Sequence, residues 1–329
     1  MNFRDTVVNA FSQNKKALLY AAGGIVASLG LGFGYKYLLK PKKVTRVGVV
    51  SQLIIHPLKS GKGLSVTTAE CLDMGLKYGE LKDRHWLVIT EDGHQVTGRQ
   101  EPRLVLVSMT IEGGELCLNG PGMEEQRIPL QQPGNAVANC RVWGADIQGR
   151  DCGDQASLWI SRFLDSGKTF RLVQFESHMR PRRPVEKEPL FPPSEKVAYP
   201  DIGAVMLLSD ASVTDLNTRL ERDVTVAQFR PSVVVSDCAA YAEDSWDEIQ
   251  IGDVRLSRVM SCGRCIFTKV NPETAIVDSK QPLETLKSYR LCDPSEKHIY
   301  KSSPLFGQYY SVRRCGVLKA GDPVYRISY

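Results

Sequence analysis

The chain has 329 residues, of which 42% are hydrophobic and 24% charged, a composition that is typical of globular proteins and excludes disorder of the whole chain. Its formal charge of +5 is concentrated in residues 1–45, which hold seven Lys or Arg and one Asp, whereas the remainder holds 35 basic and 36 acidic residues. Residues 46–329 therefore carry no overall basic field, which argues against general nucleic-acid binding.

The amino-terminal segment contains an apolar run, Ala17–Tyr35, without a single charged residue. Such a run is just long enough for a helix that crosses the hydrocarbon core of a bilayer. Basic residues flank it on both sides and are more numerous after Tyr35, which predicts a single membrane-spanning helix with the rest of the chain in the cytosol. A short, glycine-rich anchor of this kind suits the mitochondrial outer membrane. A cleaved signal peptide is the alternative, with a weak cleavage pattern at Val26–Ser28.

From Val47 onward the sequence predicts short alternating strands. Two hairpins are indicated, one with a turn at Glu91–Gly93 and one, within residues 103–120, with a turn at Gly113–Gly114. Strands at this spacing, with turn residues between them, predict a barrel or a sandwich. We therefore predict a mixed, mainly β fold with some α structure (α+β).

Residues 154–164 have the apolar periodicity of a helix, in which Trp159 is expected to be a packing residue. The proline-rich and charged stretch 180–196 predicts a long irregular loop between domains or draped over them. Its arginines are expected to be solvated: Arg180, Arg182 and Arg183. A strand at 204–208, a capped helix from Ser209 and further strands follow.

Cys262 and Cys265 form a Cys-x-x-Cys pair, and three kinds of site are compatible with it. A structural zinc site needs four ligands, and no second pair occurs at short spacing. A dithiol redox pair needs a helix after the pair, whereas Ile266–Val270 is strand-like. The third option is a single thiolate, favoured by the neighbouring Arg264, that binds a soft metal. The nine cysteines, odd in number and mostly isolated, indicate a reducing compartment.

The stretch SCGRCIFTKVNPET, residues 261–274, resembles the signature of the MOSC proteins, named after the carboxyl-terminal domain of molybdenum cofactor sulfurase. Five further stretches of that family occur in the family's order: His56–Ser60, Asp83–Trp86, Ala198–Asp201, Gln228–Pro231 and Ser303–Tyr309. With the amino-terminal segment added, the chain resembles the family of mitochondrial amidoxime-reducing components. The resemblance implies a membrane anchor with its basic flank (1–45), a MOSC amino-terminal β-barrel-like domain (46–175) and a MOSC β-barrel domain (176–329).

The same resemblance implies a molybdenum–molybdopterin cofactor, with Cys265 as the metal ligand and catalytic residue and Cys262 as a bystander. Cations and aligned donors are expected around the phosphate and the pterin. The implied cofactor contacts are Lys59, Ser60, Arg84, Asp201, Ile202, Gly203, Arg230, Ser232, Gly263, Cys265 and Tyr309. The chain departs from the family pattern at Ser232, where Asn is common, and at Asn271, where Asp is common.

The activity that the resemblance implies is the reduction of N-hydroxylated compounds such as amidoximes and N-hydroxylamines. Electrons would come from NADH through NADH-cytochrome b5 reductase and cytochrome b5, since no nucleotide-binding or haem-binding motif occurs in the sequence. Two alternatives stay open: a sulfur carrier with a persulfide on Cys265, and a membrane-tethered cofactor-binding module without turnover. Molybdenum analysis together with an assay of N–O reduction separates the three.

Overall fold

The computed structural model describes residues 43–186 and 188–329, and strands are the main regular structure of this part of the chain. The strands are β1 Lys43–Ile55, β2 Leu64–Val66, β3 Thr68–Leu72, β4 Gly75–Tyr78, β5 Leu81–Lys82, β6 Trp86–Thr90, β7 Ser108–Glu112, β8 Glu115–Asn119, β9 Gln126–Pro129, β10 Val137–Val142, β11 Ala145–Asp151, β12 Phe170–Gln174, β13 Val205–Ser209, β14 Val233–Ser236, β15 Glu248–Ile251, β16 Val254–Gly263, β17 Leu305–Arg314, β18 Gly316–Lys319 and β19 Pro323–Ser328. The helices are α1 Gly153–Leu164, α2 Asp210–Asn217, α3 Leu283–Tyr289 and α4 Lys297–Tyr300. The mixed, mainly β class is confirmed.

Seven strands form a closed barrel in the order β14-β13-β17-β16-β15-β19-β1, and a further pairing of β1 with β14 closes the ring. β1 is long and bends at a register shift between Val50 and Gln52, beyond which it also pairs with β2 at the end of the sheet. Closure is therefore non-local, because β1 lies some 180 residues before its partner β14.

The hydrophobic pattern of β13 and β14 explains why they lie at the centre of the molecule. All five residues of β13 and three of the four in β14 are buried, as expected for adjacent parallel strands that are covered on both faces. The inner face of β13 contributes Val205 and Leu207 to the barrel core. Its outer face contributes Met206 and Leu208 to a second core beneath α2. This helix begins where the Ser209 hydroxyl accepts a hydrogen bond from the backbone N–H of Ser212.

The remaining strands form three smaller sheets: β10-β11-β12-β6, β18-β3-β4-β5 and β7-β8-β9. The hairpin around Gly113–Gly114 is confirmed, and the chain also turns back on itself after β6. Helix α1 lies where the periodicity predicts it, and Trp159 packs there, buried, with its ring centroid 5.4 Å from that of Phe163.

Two predicted strand segments are wrong. Residues 266–269 form a single 3-10 turn, because the backbone N–H and the hydroxyl of Thr268 both donate to the carbonyl of Cys265. Pro102–Leu106 is also a 3-10 helix, with proline at its start, where the ring does not remove a needed hydrogen bond. In both places the apolar side chains favour a strand, but hydrogen bonds within the segment determine the backbone conformation.

The predicted membrane anchor, Ala17–Tyr35, lies outside the described residues. Within 43–186 and 188–329, no helix combines the length and the apolar composition that a membrane crossing requires. The predicted domain boundaries after residues 45 and 175 stay predictions. β1 lies at the beginning of the described chain, yet it pairs within the barrel whose other strands all come from residues 205–328.

Candidate cofactor cavity

A cavity of about 390 Å³ opens beside the barrel, and all eleven predicted site residues line it. They reach it from five places in the chain: the end of β1, the turn before β6, the irregular segment before β13, the turns on either side of residue 230, and the cysteine loop with β17. The residues brought together are Lys59, Ser60, Arg84, Asp201, Ile202, Gly203, Arg230, Ser232, Gly263, Cys265 and Tyr309. The prediction that they bind a cofactor stays a prediction; their convergence is a structural fact.

Lys59 is the most deeply buried cation of the cavity, with 4% of its side chain exposed. Its Nζ donates to the carbonyl of Tyr199 over 2.8 Å and to the carboxylate of Asp201. Burial lowers the pKa of Lys59 to about 8, although Asp201 opposes the shift. Desolvation would raise the pKa of Asp201, but the Lys59 ammonium group holds it well below its usual range. Both groups are therefore charged at neutral pH.

Arg84 and Arg230 lie side by side, and both have left-handed backbone, with φ of 49° and 56°. Arg84 pairs with the carboxylate of Asp83, which has no exposed surface, and donates from Nη2 to the carbonyl of Arg230 over 3.0 Å. Arg230 donates from Nη1 to the carbonyl of Gly61 over 2.6 Å, whereas its buried Nη2 has no hydrogen-bond partner among the described residues. Burial, and then the charge of Arg84, lower the pKa of Arg230. Strained backbone and an unmatched buried cation are features of a ligand site.

The charge of the cavity fits an anion. Of the described residues that line it, seven are Lys or Arg and three are Asp or Glu, so their formal charges sum to +4. Buried cations in excess of their carboxylate partners are costly unless a negative ligand compensates them. A phosphate group, which accepts hydrogen bonds from several donors at once, matches the cluster of Lys59, Arg84 and Arg230. The residues present therefore fit the phosphate-bearing cofactor that the family resemblance implies.

The two cysteines differ in their surroundings. Cys262 is 4% exposed and packs in the core beneath α2, and burial raises the pKa of its thiol although Arg264 opposes the shift. Cys265 follows the end of β16, is half-buried and lines the cavity at the start of the 3-10 turn. Throughout 43–186 and 188–329, no group of three or more His, Cys, Asp or Glu side chains could by itself hold a metal ion. Cys265 is thus placed to contribute one soft ligand to a metal whose other ligands come from a bound group.

Arg264 fixes the cysteine loop in place. Its guanidinium donates to the carbonyls of Phe306, over 2.7 Å, and Phe229, over 2.9 Å, and its backbone N–H donates to the carbonyl of Pro304. These bonds connect the loop to β17 and to the turn before Arg230. The chemistry of a guanidinium, with five fixed donors, suits this structural role.

The remaining predicted residues shape the wall. Ser232 is buried, and its hydroxyl accepts from the backbone N–H of Met206 over 3.5 Å. Gly203 lies against the rings of Phe191 and Tyr309, where an added Cβ would meet ring carbons at 3.0 Å. Glycine therefore allows close packing at this position, where a larger residue would require the rings to shift.

Other residues line the cavity that the sequence did not indicate as site residues, among them Arg99, Trp143 and Arg182. The expectation that Arg182 is solvated is wrong. Arg182 is buried, its Nε donates to the carbonyl of Ala198 over 3.0 Å, and a second nitrogen donates to the carbonyl of Pro200. No local pattern distinguishes it from its neighbours Arg180 and Arg183, and Arg99 and Trp143 carry no signal beyond residue type.

Anion binding in this cavity is expected to depend on pH through Lys59. Below pH 8 the ammonium group is charged; above it the lysine loses its proton and the site loses one positive charge. Sulfate, whose charge is constant between pH 7 and pH 9, should therefore bind the cofactor-free protein about ten-fold more weakly at pH 9 than at pH 7. Isothermal titration checks this. Lys59→Arg keeps its charge over the range and should show no comparable fall, and an equal fall in both proteins would contradict the assignment.

Comparison with known proteins gives consistent results over the whole chain. The family described as "MOSC N-terminal beta barrel domain" matches residues 47–167, and that described as "MOSC domain" matches residues 194–325. The chain is 59% identical over 329 residues to "Mitochondrial amidoxime-reducing component 1" of Danio rerio, covering 100% of both chains. It is 55% identical to "Mitochondrial amidoxime reducing component 2" of Bos taurus, covering 87% of this chain and 85% of that one. It is 54% identical to the component 1 protein of Homo sapiens, with coverages of 85% and 83%.

Proposed function

This chain belongs to the family of the mitochondrial amidoxime-reducing components, and on that basis we propose that it is a molybdenum-dependent oxidoreductase of N-hydroxylated compounds. Amidoximes and N-hydroxylamines are the substrate class. The observation that carries the proposal is a cavity of excess positive charge with one half-buried cysteine, Cys265, on its wall, in a chain with these relatives. Reduction of an amidoxime consumes two electrons and two protons and yields an amidine and water.

The molybdenum cofactor, when bound, supplies the two-electron redox chemistry. The chain's own residues hold and orient it. Lys59, Arg84 and Arg230 would compensate the charge of its phosphate, and the thiolate of Cys265 would ligate the metal. The half-buried position of Cys265 leaves the cavity open for a small substrate beside it. The buried thiol of Cys262 stays protonated and supports the loop by packing.

Electrons are proposed to arrive from NADH through cytochrome b5 reductase and cytochrome b5. The family resemblance supports this route, and so does the absence of a nucleotide-binding or haem-binding motif from the sequence. Anchoring of all partners on one membrane would raise their encounter rate through local concentration.

The run Ala17–Tyr35 is proposed to anchor the protein in the mitochondrial outer membrane with its body in the cytosol. The names of the relatives support a mitochondrial protein, and the basic flank after Tyr35 supports the orientation. Removal of residues 1–42 should release the protein from membranes and leave it folded and loaded with cofactor, since the barrel begins at Lys43. Cell fractionation and molybdenum analysis of the truncated chain test this. Continued sedimentation with mitochondria would contradict the anchor.

The proposed activity is tested by two measurements on the purified full chain. Elemental analysis should find about one molybdenum atom per chain, and reduction of benzamidoxime with a chemical electron donor should yield benzamidine. Molybdenum without turnover would favour the cofactor-binding module. If the chain lacks both molybdenum and turnover, and the mass spectrum shows a persulfide on Cys265, the sulfur carrier is favoured.

A further inference from the structure

Trp143 occupies an unusual position at the cavity. It lies in the two-residue turn between β10 and β11, and both turn residues have positive φ, 53° for Trp143 and 80° for Gly144. The first position of such a turn favours Asn, Asp or Gly, and a bulky aromatic residue is strained there. Trp143 is also 39% exposed, whereas the other tryptophans of the chain are buried: Trp86, Trp159 and Trp246. Strain that persists at a cavity wall points to a function.

The contacts of the indole converge on one carboxylate. Nε1 of Trp143 donates to Oδ1 of Asp201 over 2.9 Å, and the ammonium group of Lys59 donates to the same oxygen. The guanidinium of Arg99 lies 4.5 Å from the centroid of the indole ring, and its Nη2 is 3.6 Å from Oδ2 of Asp201. Each carboxylate oxygen thus has a partner that defines the orientation of the group.

This arrangement matters for the charge of the cavity. Asp201 is 42% exposed, so without Trp143 its side chain is free to turn toward solvent or to bind Lys59 with both oxygens. Either rearrangement changes how much positive charge Lys59 offers to a bound anion. Because the turn that carries Trp143 comes from the smaller sheets and Asp201 from the segment before β13, the indole also fixes the distance between two walls of the cavity.

We infer that Trp143 is a positioning residue of the cofactor site: it holds the Asp201 carboxylate in place by its indole N–H, with Arg99 on its ring, and the bound cofactor covers the exposed indole. The inference rests on the proposed function, because it takes the anionic group of the cavity to be the molybdenum cofactor.

Retention of the cofactor is the first test. Trp143→Phe keeps an aromatic ring but removes the donor, and a hydrogen bond to a charged group corresponds to about a ten-fold change in affinity. The variant should therefore lose molybdenum about ten-fold faster than wild type during prolonged dialysis. Trp159→Phe is the matched control, since it also removes an indole donor, in this case to the carbonyl of Glu124 over 2.8 Å, away from the cavity. Its molybdenum retention should equal that of wild type.

A double-mutant cycle separates positioning from simple structural support. If Trp143 acts through Asp201, then Trp143→Phe should have no further effect on molybdenum retention in an Asp201→Ala background, where the acceptor of its hydrogen bond is gone. Additive losses in the double variant would overturn the inference. Acrylamide quenching of tryptophan fluorescence gives a second readout: the cofactor-loaded wild type should be quenched less than the cofactor-free form, and Trp143→Phe should show no such difference.

The outcomes also distinguish this inference from the proposed function. A wild-type chain without molybdenum would overturn the proposed function and the inference with it. A second outcome would overturn the inference alone. In it, wild type contains molybdenum, the Trp143→Phe variant retains the metal equally well, and acrylamide quenches the cofactor-loaded and the cofactor-free wild type equally.

Discussion

Arg230→Met is expected to lose most of its molybdenum while the cofactor-free protein stays within about 1 kcal/mol of the wild-type free energy of unfolding. Among residues 43–186 and 188–329, the guanidinium of Arg230 forms no ion pair with a carboxylate, and burial beside Arg84 disfavours its charge. Removal costs the hydrogen bond to the carbonyl of Gly61 but relieves the repulsion between the two arginines. What is lost is the positive charge that compensates a bound phosphate. Molybdenum content and urea unfolding measure the two effects separately.

Arg84→Met is the informative contrast, because the positive charge of Arg84 is already paired with the carboxylate of Asp83. Its partner Asp83 is fully buried, and a buried carboxylate left without its cation costs about 3 kcal/mol. We therefore expect Arg84→Met to lose both molybdenum and stability. Adding Asp83→Asn should restore stability but not the cofactor. If Arg230→Met proves as unstable as Arg84→Met, or keeps its full molybdenum content, the view of Arg230 as the uncompensated cation of the site is wrong.

The local elements of this fold are predictable from sequence because their determinants are local. Alternation of apolar residues and the glycine pair Gly113–Gly114 are sufficient for the hairpin of β7 and β8. Closure of the barrel is not predictable in this way, since the pairing of β1 with β14 depends on packing among seven strands. The 3-10 turn after Cys265 was also missed, because two bonds from Thr268 override the strand propensity of its neighbours.

The convergence of the predicted site residues on one cavity has a different basis in the sequence. Lys59, Arg84 and Arg230 are not exceptional as isolated residues, and only their place in family motifs indicated a common cavity. Where no motif marks a residue, prediction failed: Arg182 was expected in solvent, yet backbone carbonyls hold it inside the wall. The role of Trp143 is not predictable from the sequence either, because it depends on a positive φ and on a hydrogen bond to Asp201, 58 residues away. Such features exist only in the folded chain.

The two cysteines should respond very differently to the same substitution. Cys265→Ser replaces the sulfur on the cavity wall, a good ligand for a soft metal, by a hydroxyl oxygen that is a poor one. Loss of residues that only support a metal ligand costs 10-fold to about 100-fold in activity, so loss of the ligand itself should lower amidoxime reduction by more than about 100-fold. The spectroscopic signature of the metal should change as well, whether or not the phosphate contacts retain the cofactor.

Cys262→Ser makes the same chemical change at a residue that is buried in the core beneath α2. Burial already keeps this thiol protonated, so the substitution removes no charge from the cavity and costs on the order of 1 kcal/mol of stability for a small buried group made more polar. Most of the activity should remain. A zinc site or a dithiol redox pair requires both cysteines and predicts equal losses. Activity is best measured with a chemical electron donor, so that weaker docking of a protein donor does not contribute to the loss. A folded Cys262→Ser protein that is as inactive as Cys265→Ser would show that the site uses both thiols.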